Sequence, residues 1–183
     1  LSEEYRKEHK MTKVLGQAIA LAADIHKDDL YGDGPYVFHL LQVLKSVQEQ
    51  DEGIEVQVAA ILHDAIEDHP DQEGRVVQFL TDSGLHGVHG ILKGLTRHYY
   101  GKETYNEFLD RAILDRDTTV VKLADLQRNA APKPGRTEHH IKLALERYIP
   151  ALAKVTKALL AHEKARRAVA LEIGFRGTPG TKR

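Results

Sequence analysis

The chain of 183 residues has no cysteine, no tryptophan and a single methionine. Without thiols it can hold no disulfide, no zinc–thiolate centre and no cysteine nucleophile. It has almost no net charge: 26 lysines and arginines stand against 27 aspartates and glutamates, giving −1. That balance argues against nucleic acid or an anionic membrane as the main partner. No apolar run is long enough to span a bilayer, and no signal-peptide pattern opens the sequence, so a soluble cytoplasmic protein is expected. Eleven histidines, by contrast, is a high count for this length.

What is present is helical periodicity. Val14, Leu15, Ala18, Ile19, Leu21, Ala22 and Ile25 recur at helical spacing and predict a helix from Thr12 to His26. Gly32, Asp33, Gly34 and Pro35 make Asp28–Pro35 a turn. Helices are expected at Val37–Gln48, Glu55–Glu67, Gly74–Thr81, Leu85–Leu92, Thr104–Asp115 and Thr118–Asn129. A long last helix is expected from Thr137 to Leu171, kinked at Pro150. The Pro132–Gly135 cluster punctuates the final two. The expected architecture is all-α, a compact helical bundle forming one domain over residues 1–173. The Gly-, Pro- and basic-rich stretch at 174–183 is expected to be a disordered tail. The basic run Lys164-Ala165-Arg166-Arg167 reads as a solvated face of the last helix.

The third helix carries the chemical signal, in Ala60-Ile61-Leu62-His63-Asp64-Ala65-Ile66-Glu67-Asp68. On a continuous helix His63 stacks over Glu67, and Asp64 over Asp68. Burying an imidazole and three carboxylates beside Ile61, Leu62 and Ile66 is costly unless something pairs them. A divalent cation is the simplest such partner. One helical turn cannot surround a metal, so further ligands must come from elsewhere. His39, between Phe38 and Leu40, and Asp125, inside the apolar run Val120–Asp125, fit that need. Asn129 lies one turn beyond Asp125 on the same face. His39, His63, Asp64 and Asp125 supply nitrogen and oxygen donors without sulfur. Such a set suits manganese or iron, and zinc less decisively. A metal held there lowers the pKa of a bound water and polarises a phosphoryl oxygen. Glu67 and Asp68 are placed to hold or deprotonate that water, or to protonate a leaving oxygen.

A His-Asp dipeptide alone is weak evidence, but the ordered set is a strong signal. Ala22-Ala23-Asp24-Ile25-His26, Gly34-Pro35-Tyr36-Val37-Phe38-His39, Ala60–Asp68, Gly94-Leu95-Thr96, Val121-Lys122-Leu123-Ala124-Asp125 with Asn129, and Tyr148-Ile149-Pro150-Ala151-Leu152-Ala153 occur in this order. This pattern resembles the HD phosphohydrolase superfamily, most closely the hydrolase domain of the RelA/SpoT alarmone enzymes and the stand-alone small alarmone hydrolases. The resemblance runs from about Thr12 to Leu160. It implies an HD-domain helical bundle and a manganese-dependent hydrolase that removes pyrophosphate from the 3′ position of guanosine tetra- or pentaphosphate. It also implies His39, His63, Asp64 and Asp125 as metal ligands and Glu67 and Asp68 as the water-handling acids. Asn129 and Tyr148 match nucleotide-contacting positions, and Arg97 falls where the family often has a basic residue near the phosphates.

One stretch departs from the family. A basic stretch usually precedes the Gly-x-Pro-Tyr motif and packs an arginine on the guanine. Here Leu30-Tyr31-Gly32 replaces it. Tyr31 offers an aromatic face where a guanidinium is usual, and Arg128, in place of the usual histidine, offers charge to a phosphate. A guanine or adenine alarmone, another 3′-phosphorylated nucleotide and a deoxynucleotide are therefore all open as substrates. An HD-type 5′-nucleotidase or deoxynucleoside triphosphate hydrolase uses the same four ligands, and a non-catalytic nucleotide sensor is the reading from another class. The expected partner is a small nucleotide; the oligomeric state is left open.

Overall fold

The structure, a computed structural model, describes residues 2–131 and 137–176. Its helices are α1 (Glu3–Ile25), α2 (Val37–Gln48), α3 (Ile54–Leu62), α4 (Ala65–Asp68), α5 (Glu73–Ser83), α6 (Val88–Leu95), α7 (Tyr105–Ala112), α8 (Arg116–Ala130), α9 (Glu138–Leu143) and α10 (Ile149–Arg176). Among the described residues the sheet content is one antiparallel pair, β1 (Leu30–Tyr31) and β2 (Gly34–Pro35). The all-α class expected from periodicity is the class found.

The ends of these helices follow their capping chemistry. Ser2 accepts from the Tyr5 amide, so α1 starts at Glu3 and not at Thr12, ahead of the apolar periodicity that signals it. Thr104 and Glu107 form a reciprocal capping box on α7. The Asp115 carboxylate accepts from the Thr118 amide at 2.8 Å and opens α8. Gly84, at φ 74°, closes α5 in a left-handed conformation that carries no Cβ penalty.

Three expected elements differ in detail. The Asp28–Pro35 turn is a miniature hairpin, pairing Leu30 with Pro35 and Tyr31 with Gly34. The expected helix Glu55–Glu67 is broken at His63-Asp64, which separates α3 from α4. The kink expected at Pro150 falls just before it, as a π-helical turn over Ala144–Tyr148 in which the Ile149 amide bonds the Ala144 carbonyl. Proline 150 has no N–H to give to the carbonyl four residues back, so the preceding turn widens by one residue. Of the expected tail, residues 174–176 continue α10, and 177–183 lie outside the described residues, as does the Pro132–Gly135 cluster.

The centre of the molecule is α3. Val56, Val58, Ala59, Ala60, Ile61 and Leu62 are all buried, because α1, α2, α6 and α8 surround it. Such an all-round apolar helix has no solvent face to give polar residues. Each fully buried leucine or isoleucine contributes roughly 1.5–3 kcal/mol relative to exposure. A smaller apolar cluster joins Phe108, Leu109 and Ala112 of α7 with Leu123 and Leu126 of α8 and Ala151 and Val155 of α10. α8 thus belongs to both clusters, and its N-terminal half packs against α6. At that crossing a Cβ added to Gly94 would stand 2.9 Å from Thr118 Cγ2 and 3.0 Å from Oγ1. Thr118 is held in place by its hydroxyl, which donates to Asp115 at 2.8 Å. Gly94→Ala is therefore expected to destabilise the fold by about 1–3 kcal/mol, read as a lower urea midpoint with an unchanged m value.

Candidate metal centre

Three buried segments meet at one point. His39 sits in the first turn of α2, His63 and Asp64 lie at the α3–α4 break, and Asp125 projects from the middle of α8. His39, His63 and Asp125 each offer a ligand atom, all within 4.8 Å of one another. His39 Nε2 stands 3.4 Å from Asp125 Oδ1 and 3.7 Å from Asp64 Oδ2. His63 Nε2 stands 2.9 Å from Asp64 Oδ2 and 3.8 Å from Asp125 Oδ1. Adjacent nitrogen and oxygen ligands around an octahedral cation at ~2.1 Å lie about 3 Å apart. The four side chains fit such an ion with small adjustments.

The surroundings fix which atoms face inward. His63 Nδ1 is 2.8 Å from the Ala60 carbonyl. A carbonyl only accepts, so Nδ1 carries the hydrogen and Nε2 is left for the site. The Tyr36 hydroxyl donates to Asp64 Oδ2 at 2.7 Å. Asn129 donates to Asp125 Oδ1 at 2.6 Å, and Lys122 Nζ holds Asp125 Oδ2 at 2.9 Å. Tyr36 and Asn129 thus bond the oxygens that face the histidines, and Lys122 holds the outer oxygen of Asp125.

The electrostatics favour positive charge. Burial pushes Asp64 up, but the neighbouring His63 outweighs it and holds the carboxyl at about 2. Burial also opposes ionisation of Asp125, yet the Lys122 ammonium and the two imidazoles keep it well below the usual carboxylate range. Burial would drive His63 toward its neutral form; Asp64 and Asp125 overcome this and hold its pKa well above the ordinary value. A site that retains a proton between two ionised carboxylates is one where a dication can replace it. The donor set, its burial and its field therefore all suit a divalent metal.

The sequence reading overlooked Lys122. It is a lysine in an apolar run, three residues before Asp125, and that spacing is its only signal. Its side chain is 13% exposed and that of Asp125 6%. Lys122→Met should cost the metal-free protein about 3 kcal/mol, because it leaves a buried carboxylate without its cation. Urea unfolding in chelator measures this.

Glu67 and Asp68 lie at the solvent rim of the same recess. Glu67 Oε2 accepts from the Arg97 amide at 2.6 Å. Partial desolvation raises the Glu67 carboxyl, with the Arg97 amide opposing it. Asp68 is pushed up to about 6 by desolvation, then by Asp64 and Glu67. The continuous i, i+4 stacking expected of His63 on Glu67 is replaced by this broken turn, which leaves His63 buried and Glu67 exposed.

The remaining residues named from sequence fall in different places. Tyr31 covers the centre: its ring stacks on His39 at 4.5 Å between centroids, and its hydroxyl donates to Asn129 Oδ1 at 2.7 Å. Tyr148 is half-buried against the smaller apolar cluster. Arg97 lines a cavity of about 430 Å³ with Tyr105 and Arg147. Arg128 is directed elsewhere, both of its bonded nitrogens reaching Ser46 on α2, at 2.9 and 2.5 Å.

Fold and site together give a helical protein in which two histidines and two aspartates converge at a candidate metal centre. The comparisons narrow the likeness further. The chain is 28% identical over 148 residues to the bifunctional (p)ppGpp synthase/hydrolase SpoT of Escherichia coli K12, covering 75% of this chain. It is 28% identical over 140 residues to the guanosine-3′,5′-bis(diphosphate) 3′-pyrophosphohydrolase of Haemophilus influenzae, covering 71%. It spans about a fifth (21%) of the length of these relatives. A solved metazoan ortholog of SpoT, described as hydrolysing ppGpp and playing a role in starvation responses, shares the fold with TM-score 0.62 and 21% identity, over 80% of this chain and 85% of that one. No protein-family model matches. The chain is thus similar to the HD-domain, RelA/SpoT-type hydrolases. Among the described residues no helix is long and apolar enough to cross a membrane.

Proposed function

We propose that this chain is a divalent-metal-dependent phosphohydrolase that removes the 3′-pyrophosphate from a (p)ppGpp-type alarmone, leaving a 5′-phosphorylated nucleoside. The observation that carries the reading is the convergence of His39, His63, Asp64 and Asp125 beside Glu67 and Asp68, in a chain similar to proteins named for this reaction. Those four side chains would hold the ion, manganese by preference from the mixed nitrogen and oxygen donors, with iron or zinc as alternatives. When bound, the cation supplies Lewis acidity toward the phosphoryl oxygens and a water of lowered pKa.

The protein's own groups do the rest. Glu67, anchored by the Arg97 amide, orients the attacking water, and Asp68 takes its proton. Tyr36 and Lys122 hold Asp64 and Asp125 at fixed angles. The cavity beside Arg97 takes the substrate's other phosphates. Arg97 Nε, Tyr105 Oη and Arg147 Nε are buried there without a hydrogen-bond partner. Arg147 also lies over the Tyr105 ring at 3.9 Å, and Glu146 and Lys154 complete the wall. The two guanidinium groups that line the cavity attract an anion, and a small shift of these side chains would let their unpaired donors reach it. Arg147→Ala is expected to raise KM about tenfold or more, one charge-assisted hydrogen bond, with kcat little changed in steady-state kinetics.

Tyr31 favours a second reading. It sits on His39 in the stretch where the family resemblance implies basic residues, so the base would be met differently, and an HD-type 5′-nucleotidase or deoxynucleoside triphosphate hydrolase would use the same four side chains. The purified protein with manganese, given ppGpp, its adenine analogue, deoxynucleoside triphosphates and nucleoside monophosphates, separates these. Pyrophosphate from a 3′-pyrophosphorylated nucleotide supports the first reading. Triphosphate or 5′-phosphate release supports the second. Nucleotide binding without any product indicates a non-catalytic sensor.

A further inference from the structure

Outside the centre just described, a second group of ligand-competent atoms converges. His26 lies at the C-terminal cap of α1, Asp29 three residues on, and His69 follows α4 directly. His26 Nδ1 is 2.8 Å from Asp29 Oδ2, and His69 Nε2 is 2.5 Å from the same oxygen. All three ligand atoms lie within 4.8 Å of one another. The His26 side chain is fully buried, while Asp29 and His69 are 32% and 27% exposed, so the cluster is closed on the protein side and open to solvent on the other.

The chemistry of the group suits a metal. Burial lowers the His26 pKa and keeps its ring neutral; Nδ1 gives its hydrogen to Asp29 in the metal-free protein, and a cation takes Nδ1 once that hydrogen moves to Nε2, which is buried without a partner. Asp29 is held ionised, below its ordinary value, chiefly by its hydrogen bond from His69. A neutral imidazole does not cancel the carboxylate charge, and Asp64 stands close enough to act on His26. The local field is therefore negative. Tetrahedral ligands at 2.0–2.2 Å from zinc lie about 3.3 Å apart. The two separations from Asp29 Oδ2 reach that value if the side chains open by less than about 1 Å.

We propose that His26 Nδ1, Asp29 Oδ2 and His69 Nε2 form a second divalent-metal site of the zinc class, separate from the centre at His39, His63, Asp64 and Asp125. Two imidazoles and one carboxylate leave a fourth position facing solvent, for water or an anion. The ion ties together the end of α1, the chain entering the hairpin and the segment after α4. It also stiffens the first centre from behind. The His26 ring stacks on Tyr36 at 4.8 Å, and Tyr36 holds Asp64 through its hydroxyl.

Metal counting tests this without reference to catalysis. The full chain, stripped with chelator and reloaded with Co²⁺ as probe, is passed through gel filtration and its metal content measured. Wild type is expected to retain two equivalents, and Asp29→Asn and His69→Asn one each. These near-isosteric changes at partly exposed positions keep the fold, which circular dichroism checks. His63→Ala is expected to retain the equivalent that the other two variants lose. In crystals of the loaded protein, anomalous scattering at the cobalt edge should give a peak between His26 and His69. A wild-type count that neither Asp29→Asn nor His69→Asn lowers overturns the proposal, and so does loaded protein with no anomalous peak there. Because the counts for the two centres are read in separate variants, absence of the second site leaves the hydrolase reading standing. Absence of hydrolysis likewise leaves the count unaffected.

Discussion

His63→Ala is expected to remove the metal of the principal centre and lower hydrolysis by a factor of about a thousand or more, the loss of roughly 4 kcal/mol of transition-state stabilisation that a Lewis acid supplies. The reason is in the coordination. His63 Nε2 is the atom that approaches both carboxylates, at 2.9 Å to Asp64 and 3.8 Å to Asp125. With the imidazole gone, the two carboxylates retain only His39 between them, at 3.7 and 3.4 Å. A dication with one ligand fewer binds more weakly, and the remaining acids repel each other. The fold should survive, since Ala59, Ala60 and Ile61 keep α3 packed on its neighbours. Metal content by elemental analysis and pyrophosphate release from ppGpp read the two losses together. If the variant lost hydrolysis while retaining its metal, His63 would not be a ligand. If it retained hydrolysis, the centre would not be the active site.

Much of this centre was readable from the chain because its converging side chains interrupt apolar runs. His63-Asp64 stands in the most buried helix, and Asp125 follows four residues that pack inside. A polar group there demands a partner, and periodicity tells which face it shares. What periodicity cannot tell is where a helix breaks without proline or glycine. His63 and Asp64 keep right-handed helical angles, at φ −60° and −96°, while the hydrogen-bond ladder lapses between α3 and α4. The ring of His63 takes the Ala60 carbonyl, a side-chain choice with no sequence signature.

The neighbours of the site were harder to read for a related reason. Tyr36 lies next to a proline in a turn, and only the hairpin geometry brings its hydroxyl to Asp64. Arg147 reaches the Arg97 cavity through the π-helical turn, which rotates residues 144–148 relative to a regular helix. His26 and Asp29 have a local signal in their i, i+3 spacing, but His69 reaches them from 40 residues away. Arg128 shows the opposite case. Its charge, at the position where the resembled family has a histidine, points to a phosphate, whereas α8 directs it across to Ser46. Contacts along one helix were legible; contacts that depend on how two helices cross were not.

Asp68→Asn and Glu67→Gln are each expected to lower kcat by a factor of about 10²–10⁴, the usual worth of a positioned acid or base, while leaving metal content unchanged. Neither residue is among the side chains that converge at the candidate centre, so the metal readout separates these variants from His63→Ala. The two should differ in pH dependence. Asp68 is pushed up to about 6 by desolvation and by the charges of Asp64 and Glu67. A base works only when ionised, so wild-type kcat should rise with pH as Asp68 loses its proton and fall below that point. A bound dication pulls the same carboxyl down, which sets the limb of the loaded protein at or below that value. Asp68→Asn abolishes the limb, because the amide does not titrate in this range. Glu67→Gln keeps it but moves it lower, since one of the negative charges that raises Asp68 is gone. Its carbonyl oxygen can still accept from the Arg97 amide, so the loop bearing Arg97 stays in place. A profile for Asp68→Asn that retained the acid limb of wild type would assign proton transfer to another group, with Glu67, the neighbouring carboxylate at the rim, as the first to examine.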